Sequence, residues 1–96
     1  MIIAKLDFLY RAGLDQETLD VWIEEEWLIP EVASPEMAFS EADIARAQLI
    51  RDLIDGMGVN SEGVGVILHL LDQMHGLRSA MTGIVEAARG KDRSRN

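Results

Sequence analysis

Hydrophobic residues recur at helical spacing near the start of the chain and predict a short helix over residues 3–12. The expected apolar face of this helix consists of Leu6, Leu9 and Tyr10. Gly13 follows at a position where the end of a helix favours positive φ. Asp15 has the side chain of a helix N-cap, so a second helix is expected after a turn of only three residues. Two short helices joined in this way are typical of a helix-turn-helix.

The second helix is expected from Asp15 to Trp27 and has one apolar and one acidic side. The apolar side consists of Leu19, Trp22, Ile23 and Trp27, spaced i, i+3, i+4 and i+8. The acidic residues are Asp15, Glu17, Asp20, Glu24, Glu25 and Glu26, and the helix contains no basic residue. The spacing places Trp22 in the core, whereas the position of Trp27 at the helix end leaves its burial open.

Two prolines argue against helix in the segment that follows. Its apolar ends, residues 28–30 and 37–39, flank a polar tip and predict a small β-hairpin wing. Ser40 and Asp43 then form the pattern of a capping box, which predicts a third helix ending near Gly56.

A regular heptad pattern predicts a long last helix that begins after a cap at Asn60 and ends near Ala88. The apolar seam of this helix consists of Ile67, Leu70, Met74, Leu77, Met81 and Ile84. Because a second apolar flank widens the seam, we expect the helix to pair with a second copy of the chain as a homodimer. Gly76 and Gly83 lie on one face, and their spacing does not decide between close approach of a partner helix and a break in the helix.

The 96-residue chain has the composition of one globular domain, with 48% hydrophobic and 27% charged residues. We expect residues 1–58 to hold the helix-turn-helix, wing and third helix, residues 59–89 the long helix, and residues 90–96 a disordered tail. Charged residues interrupt the N-terminal apolar pattern, and no apolar stretch is long enough to span a membrane. The chain has no cysteine, which permits a reducing compartment, so we expect a soluble cytoplasmic protein.

Acidic charge is concentrated in the N-terminal half of the chain. Residues 1–44 contain eleven acidic and two basic residues, a net charge of −9, whereas residues 45–96 contain six acidic and seven basic residues, a net charge of +1. Such a field repels a phosphate backbone and attracts a basic protein surface. The acidic second helix is therefore not expected to read DNA, although the sequence alone leaves open whether its charge is a partner surface or only a solvated face.

No set of residues in the chain has the spacing of a catalytic or metal site. His69 and His75 lie six residues apart and so on different faces of the last helix. Gly63 and Gly65 lack the strand and the other residues of a phosphate-binding loop. We therefore expect neither an enzyme nor a bound cofactor or metal.

Five segments of the chain have a characteristic order and spacing: Gly13-Leu14-Asp15-Gln16-Glu17-Thr18-Leu19, Trp22-Ile23, Trp27-Leu28-Ile29-Pro30, Phe39-Ser40-Glu41-Ala42-Asp43 with Arg46, Ala47 and Arg51, and Val59 to Leu77. The order of the predicted elements resembles that of a MerR-like winged helix, and these residues resemble the chaperone modulator family CbpM more closely. The resemblance covers roughly residues 3–88. Glu26 departs from the pattern, because a small residue is expected at this helix end.

The resemblance implies a mainly α fold, a MerR-like winged helix-turn-helix with a small β-hairpin wing and a long C-terminal dimerisation helix. It also implies a function: CbpM proteins bind the J-domain of CbpA, a DnaJ-like co-chaperone, and inhibit its stimulation of the Hsp70 chaperone DnaK. Since the J-domains of this family carry a basic helix, the expected partner-binding residues are Asp15, Glu17, Asp20, Glu24 and Glu25.

Two other functions stay open at this point. One is a MerR-like transcription regulator that binds DNA as a dimer through Arg46, Arg51 and the wing. The other is a structural oligomer built on the heptad seam, with no dedicated partner.

Overall fold

The computed structural model describes residues 2–32 and 36–94, and of residues 91–94 the backbone alone. Its elements, in chain order, are β1 (Ile3–Ala4), α1 (Lys5–Ala12), α2 (Gln16–Glu24), β2 (Ala38–Phe39), α3 (Glu41–Arg51), a π-helix (Asp52–Gly56) and α4 (Ser61–Ser94). The chain divides into two compact units, residues 1–64 and residues 65–96, which are described separately. The predicted fold class, mainly helical with a small antiparallel sheet, is confirmed.

The small sheet joins the start of the chain to the segment before α3. β1 pairs antiparallel with β2, with Ile3 opposite Phe39. Ala38 also forms an antiparallel bridge with Val32, at the expected wing, and its N–H donates to the Val32 carbonyl at 2.9 Å. The wing tip, residues 33–35, lies outside the described residues. Residues 3 and 4 are therefore strand rather than the first turn of α1 as predicted, because β2 offers them a backbone partner that the local sequence does not show.

Two stacked phenylalanine rings lie at the centre of the first unit. The centroids of Phe8 in α1 and Phe39 in β2 are 4.1 Å apart with 13° between the ring planes, and both side chains are fully buried. The other buried residues of this unit are Ile3, Ala12, Leu19, Trp22, Trp27, Leu28, Ala47, Ile50, Leu53 and Val64. The predicted apolar side of α2 is thus confirmed at Leu19 and Trp22, and Trp27 also belongs to the core.

The core-facing side of α1 differs from the prediction. Leu6 and Tyr10 are 80% and 86% exposed, whereas Phe8 and Ala12 are buried. Apolar residues occupy a wider arc of the α1 surface than the part that packs against the core. The spacing alone therefore could not show which part of this arc faces inward. The stacking on Phe39 decides this by turning Phe8 toward the core.

α1 ends in a Schellman motif at the predicted glycine. The N–H of Gly13 donates to the Tyr10 carbonyl at 3.3 Å, and the N–H of Leu14 donates to the Leu9 carbonyl at 3.0 Å. Gly13 adopts φ 69°, which favours glycine, and a Cβ at this position would overlap the Arg51 guanidinium. Glycine is therefore required here by the backbone and by its neighbour.

α2 ends in the same motif, three residues earlier than predicted. The N–H of Glu26 donates to the Ile23 carbonyl at 3.0 Å, and the N–H of Trp27 donates to the Trp22 carbonyl at 2.9 Å. The two tryptophan rings are in contact, with centroids 6.3 Å apart, as is common for the residues that close this motif. The residue with positive φ is Glu26, at φ 62°, and it is the only non-glycine residue of this kind in the described chain.

The later helices begin at the predicted caps. At the start of α3 the Asp43 N–H donates to Ser40 Oγ at 3.2 Å and the Ser40 N–H donates to Asp43 Oδ2 at 2.9 Å, which completes the capping box. At the start of α4 the Gly63 N–H donates to Asn60 Oδ1 at 2.7 Å. Between them, the π-helix Asp52–Gly56 continues α3 directly.

α4 is one unbroken helix of 34 residues, so neither Gly76 nor Gly83 interrupts it. At about 1.5 Å per residue it is roughly 50 Å long. Its backbone is helical up to Ser94 and includes residues that the sequence assigned to a tail. Residues 95 and 96 lie outside the described residues, so the disordered tail stays a prediction.

We predict that Glu26→Gly stabilises the protein. A residue with a Cβ at positive φ destabilises the folded state by about 1 kcal/mol or more. Glycine removes this strain, and the greater backbone entropy of glycine in the unfolded chain offsets only part of the gain. We expect the free energy of unfolding to rise by about 1 kcal/mol, measured by urea denaturation monitored by circular dichroism. Gly13→Ala, at the matching position of α1, should change stability in the opposite direction. A Glu26→Gly variant less stable than the original protein would contradict this account of the helix end.

Candidate partner-binding surface

The exposed side of α2 is largely acidic. The five residues predicted to bind a partner, Asp15, Glu17, Asp20, Glu24 and Glu25, are all exposed. Their exposure follows from the burial of Leu19 and Trp22, because these two side chains fix which side of the helix faces the core. Residues 15–26 contain no basic residue that could neutralise this charge locally. We call these five residues the acidic surface.

Two members of the acidic surface also stabilise the helix that carries them. Asp15 Oδ1 accepts the N–H of Thr18 at 2.8 Å, and Asp20 Oδ1 accepts a hydrogen bond from Gln16 Nε2 at 2.7 Å. The hydrogen bonds with Thr18 hold the pKa of Asp15 below its ordinary value of 3.8. Asp15 therefore remains an anion at the N-terminus of α2, where the helix dipole favours negative charge.

A small apolar area lies within the acidic surface. Val21 is 51% exposed and lines a shallow groove of about 380 Å³ together with Glu17, Thr18 and the edge of Trp22. This groove thus places an apolar contact point beside the carboxylate of Glu17. A ligand that fits this surface combines positive charge with an apolar side.

The two basic residues of α3 each donate a hydrogen bond to a backbone carbonyl of the fold. Arg46 Nε donates to the carbonyl of Trp27, at the end of the turn that closes α2. Arg51 Nη1 donates to the carbonyl of Ala12 at 3.2 Å, and Arg51 Nε lies 3.9 Å from Asp55 Oδ2. Both side chains therefore bind backbone carbonyls at helix ends, where acceptors lack partners within the helix. The sequence had suggested these arginines for DNA binding and gave no sign of this role.

The second unit presents the predicted dimer seam as an exposed surface. Five of its six residues, Leu70, Met74, Leu77, Met81 and Ile84, are 53–69% exposed in the single chain, and Ile67 is half-buried. Gly76 and Gly83 lie two residues after Met74 and Met81, so they point away from the seam. Open space surrounds the Cβ positions of both glycines.

The described residues contain no group of three or more histidine, cysteine, aspartate or glutamate side chains that could hold a metal ion. His69 instead contacts Gln73, with 3.1 Å between His69 Nε2 and Gln73 Nε2. Nor is any described helix both long and apolar enough to cross a membrane.

A family model described as "MerR HTH family regulatory protein" matches residues 3–84. The match includes the α1–α2 pair, the sheet, α3 and most of α4. The chain belongs to the MerR HTH family. A comparison with curated proteins gave no match.

In this MerR-family chain, α1 and α2 are the helix-turn-helix and α2 is its second helix. In members that read DNA through such a motif, the second helix enters the major groove and basic side chains bind phosphates. Here that position holds the acidic surface, while Arg46 and Arg51 bind backbone carbonyls. The MerR-like fold is therefore combined with a surface charge opposite to that of a DNA-reading helix.

We predict that Asp15→Asn alters how stability depends on pH. Because the pKa of Asp15 is lowered in the folded state, its carboxylate contributes stability above pH 3.8 that is lost as the pH falls through the folded-state value. Asparagine keeps an N-cap oxygen but does not titrate. Melting temperatures measured between pH 6 and pH 2 should fall less steeply for the variant than for the original protein. Parallel profiles would show that the Asp15 cap does not contribute to acid sensitivity.

Proposed function

We propose that this MerR-family protein is a CbpM-type chaperone modulator in the cytoplasm. It binds the J-domain of a DnaJ-like co-chaperone and blocks productive contact of that domain with DnaK, without catalysing a reaction itself. The observation that carries this proposal is the acidic surface, which occupies the second helix of the helix-turn-helix and has no basic residue. The resemblance of residues 3–88 to the CbpM family supplies the identity of the partner.

The charge of this surface suits a basic protein partner and opposes DNA. Six acidic residues within residues 15–26 repel phosphates, and binding through this helix would release no counterions from DNA. Toward a basic helix the same field increases the rate of association and selects the partner by charge. Within the described residues, no hydrogen bond or ion pair engages the side chains of Glu17, Glu24 or Glu25, which leaves them available to a partner.

We predict that Glu24→Lys combined with Glu25→Lys weakens binding of the J-domain at least tenfold. Both side chains are exposed at the end of α2, so the reversal changes the surface potential without disturbing the core. Calorimetric titration at low and at moderate salt measures the affinity. The original protein should bind more weakly as salt rises, and the variant should show a smaller salt dependence.

Glu31→Lys combined with Glu36→Lys is the matched control for this experiment. It changes the net charge by the same amount at exposed positions outside α2 and should leave the affinity within about threefold. Unchanged affinity of the α2 variant would remove this helix from the interface. No binding by the original protein at high micromolar concentration would contradict the chaperone proposal itself.

The second candidate function is a MerR-like transcription regulator that binds DNA as a dimer, and the family match favours it directly. In this chain DNA binding cannot depend on lysine or arginine side chains of α2, because the helix has none. Arg46 and Arg51 already bind carbonyls of the fold. A gel-shift experiment at low salt with mixed genomic fragments separates the two functions. Retardation of DNA by the original protein supports the regulator, whereas no retardation together with J-domain binding supports the modulator.

The proposal includes a homodimer that pairs through the seam of α4. Six apolar residues at heptad spacing on one helix match the a and d positions of a coiled coil, and five of them are exposed in the single chain. Large exposed apolar surfaces of this kind are unusual in monomeric proteins. A second copy of α4 has the matching spacing and length.

We predict that Met74→Lys combined with Leu77→Lys gives a monomer, because two charges would lie within the seam. Analytical ultracentrifugation measures the mass. Gly76→Ala combined with Gly83→Ala should keep the dimer and stabilise α4 by up to about 1 kcal/mol per site, since both glycines point away from the seam. Loss of the dimer on the glycine changes would show instead that these residues mark the close approach of the partner helix.

A further inference from the structure

The exposed side of α1 carries two large apolar side chains that the core does not use. Leu6 and Tyr10 are four residues apart in a helix of eight residues and therefore lie side by side on one face. Single exposed apolar residues are ordinary, but these two are the most exposed large apolar side chains of the described chain. Three charged residues share α1 with them: Lys5, which precedes Leu6, and Asp7 and Arg11, which form an ion pair with 3.1 Å between Asp7 Oδ1 and Arg11 Nε. We call Leu6 and Tyr10 the α1 stripe.

The turn after α1 brings the α1 stripe close to the acidic surface. The N–H groups of Gly13 and Leu14 donate to carbonyls of the last turn of α1, so the chain folds back tightly before Asp15. Asp15 lies five positions after Tyr10, and a segment of this length spans at most about 17 Å. A helix of three turns is about 16 Å long, which is comparable to this greatest separation of Tyr10 from the first residue of the acidic surface.

We infer that the α1 stripe is the apolar half of the partner site and takes the apolar side of an amphipathic basic helix, whose positive charges face the acidic surface. The inference rests on the proposed function and extends it from α2 to α1. Leu6 offers an aliphatic contact, and the Tyr10 ring can accept both an apolar side chain and the cation of a lysine or arginine.

Charge selects this occupant over the alternatives. A second copy of the first unit would bring two acidic surfaces together, because residues 1–44 have a net charge of −9. Nucleic acid and anionic membranes carry the same sign of charge and are repelled as well. A basic amphipathic helix can pack its apolar side on the exposed apolar side chains and place its positive charges near the carboxylates of the acidic surface.

The test is a titration of the full-length DnaJ-like co-chaperone of the same organism with the double variant Leu6→Ala and Tyr10→Ala. Both positions are exposed and helical, where alanine is well tolerated, and circular dichroism with a melting curve verifies the fold. We expect the affinity to fall at least tenfold at low and at moderate salt, with the salt dependence of the original protein retained. The salt dependence of the affinity distinguishes this double variant, which should retain it, from the charge-reversal variant of α2, which should show a smaller one.

Met57→Ala is the matched control, because Met57 is 73% exposed in the turn after the π-helix and outside the α1 stripe. Its affinity should stay within twofold of the original. Unchanged affinity of the double variant overturns the inference and leaves the proposed function standing. Absence of binding by the original protein overturns both. A lower mass of the double variant in ultracentrifugation also overturns the inference, since a second copy would then occupy the α1 stripe.

Discussion

The first unit depends on the stacked contact between Phe8 and Phe39. Phe39 lies opposite Ile3 in the sheet and directly precedes the Ser40 cap of α3, while Phe8 lies in the middle of α1. One buried ring pair therefore fixes the first strand, the first helix and the start of the third helix relative to each other. Aromatic rings are suited to this because they bury a large apolar area in a preferred geometry. The same contact turns the opposite side of α1, with Leu6 and Tyr10, toward solvent.

The two arginines of α3 connect the helix-turn-helix to the rest of the first unit. Arg46 and Arg51 each bind a carbonyl at the end of an earlier helix, at Trp27 and Ala12. Hydrogen bonds from a charged donor are among the stronger ones in proteins, and the carbonyls at helix ends would otherwise lack a partner. As a result both arginines of α3 are held against backbone carbonyls of the fold, while the carboxylates of α2 face outward.

Features set by neighbouring residues could be predicted from the sequence, and features set by distant ones could not. The caps at Asp15, Ser40 and Asn60, and the positive φ of Gly13, depend on local hydrogen bonds and were predicted. The strand at residues 3–4 and the inward side of α1 depend on β2, more than thirty residues away, and were predicted wrongly.

The same distinction between neighbouring and distant residues applies to the candidate site. The exposure of the acidic surface follows from the apolar spacing of α2, so its five residues could be chosen from the sequence. The α1 stripe could not, because Leu6, Leu9 and Tyr10 have the spacing of a core face. The width of the apolar arc was the one signal: Phe8 and Ala12 lie beside those residues, and a helix of eight residues cannot bury all of them against one side.

The acidic surface and the seam of α4 belong to different compact units of the chain. This separation has a consequence for binding. A homodimer formed through the seam carries two copies of the acidic surface, and a partner that itself presents two basic helices could engage both. The second contact would then occur at the effective concentration set by the dimer, which raises the overall affinity without any new interaction. For such a partner, a dimer with a modest single site binds more tightly than a monomer with the same site.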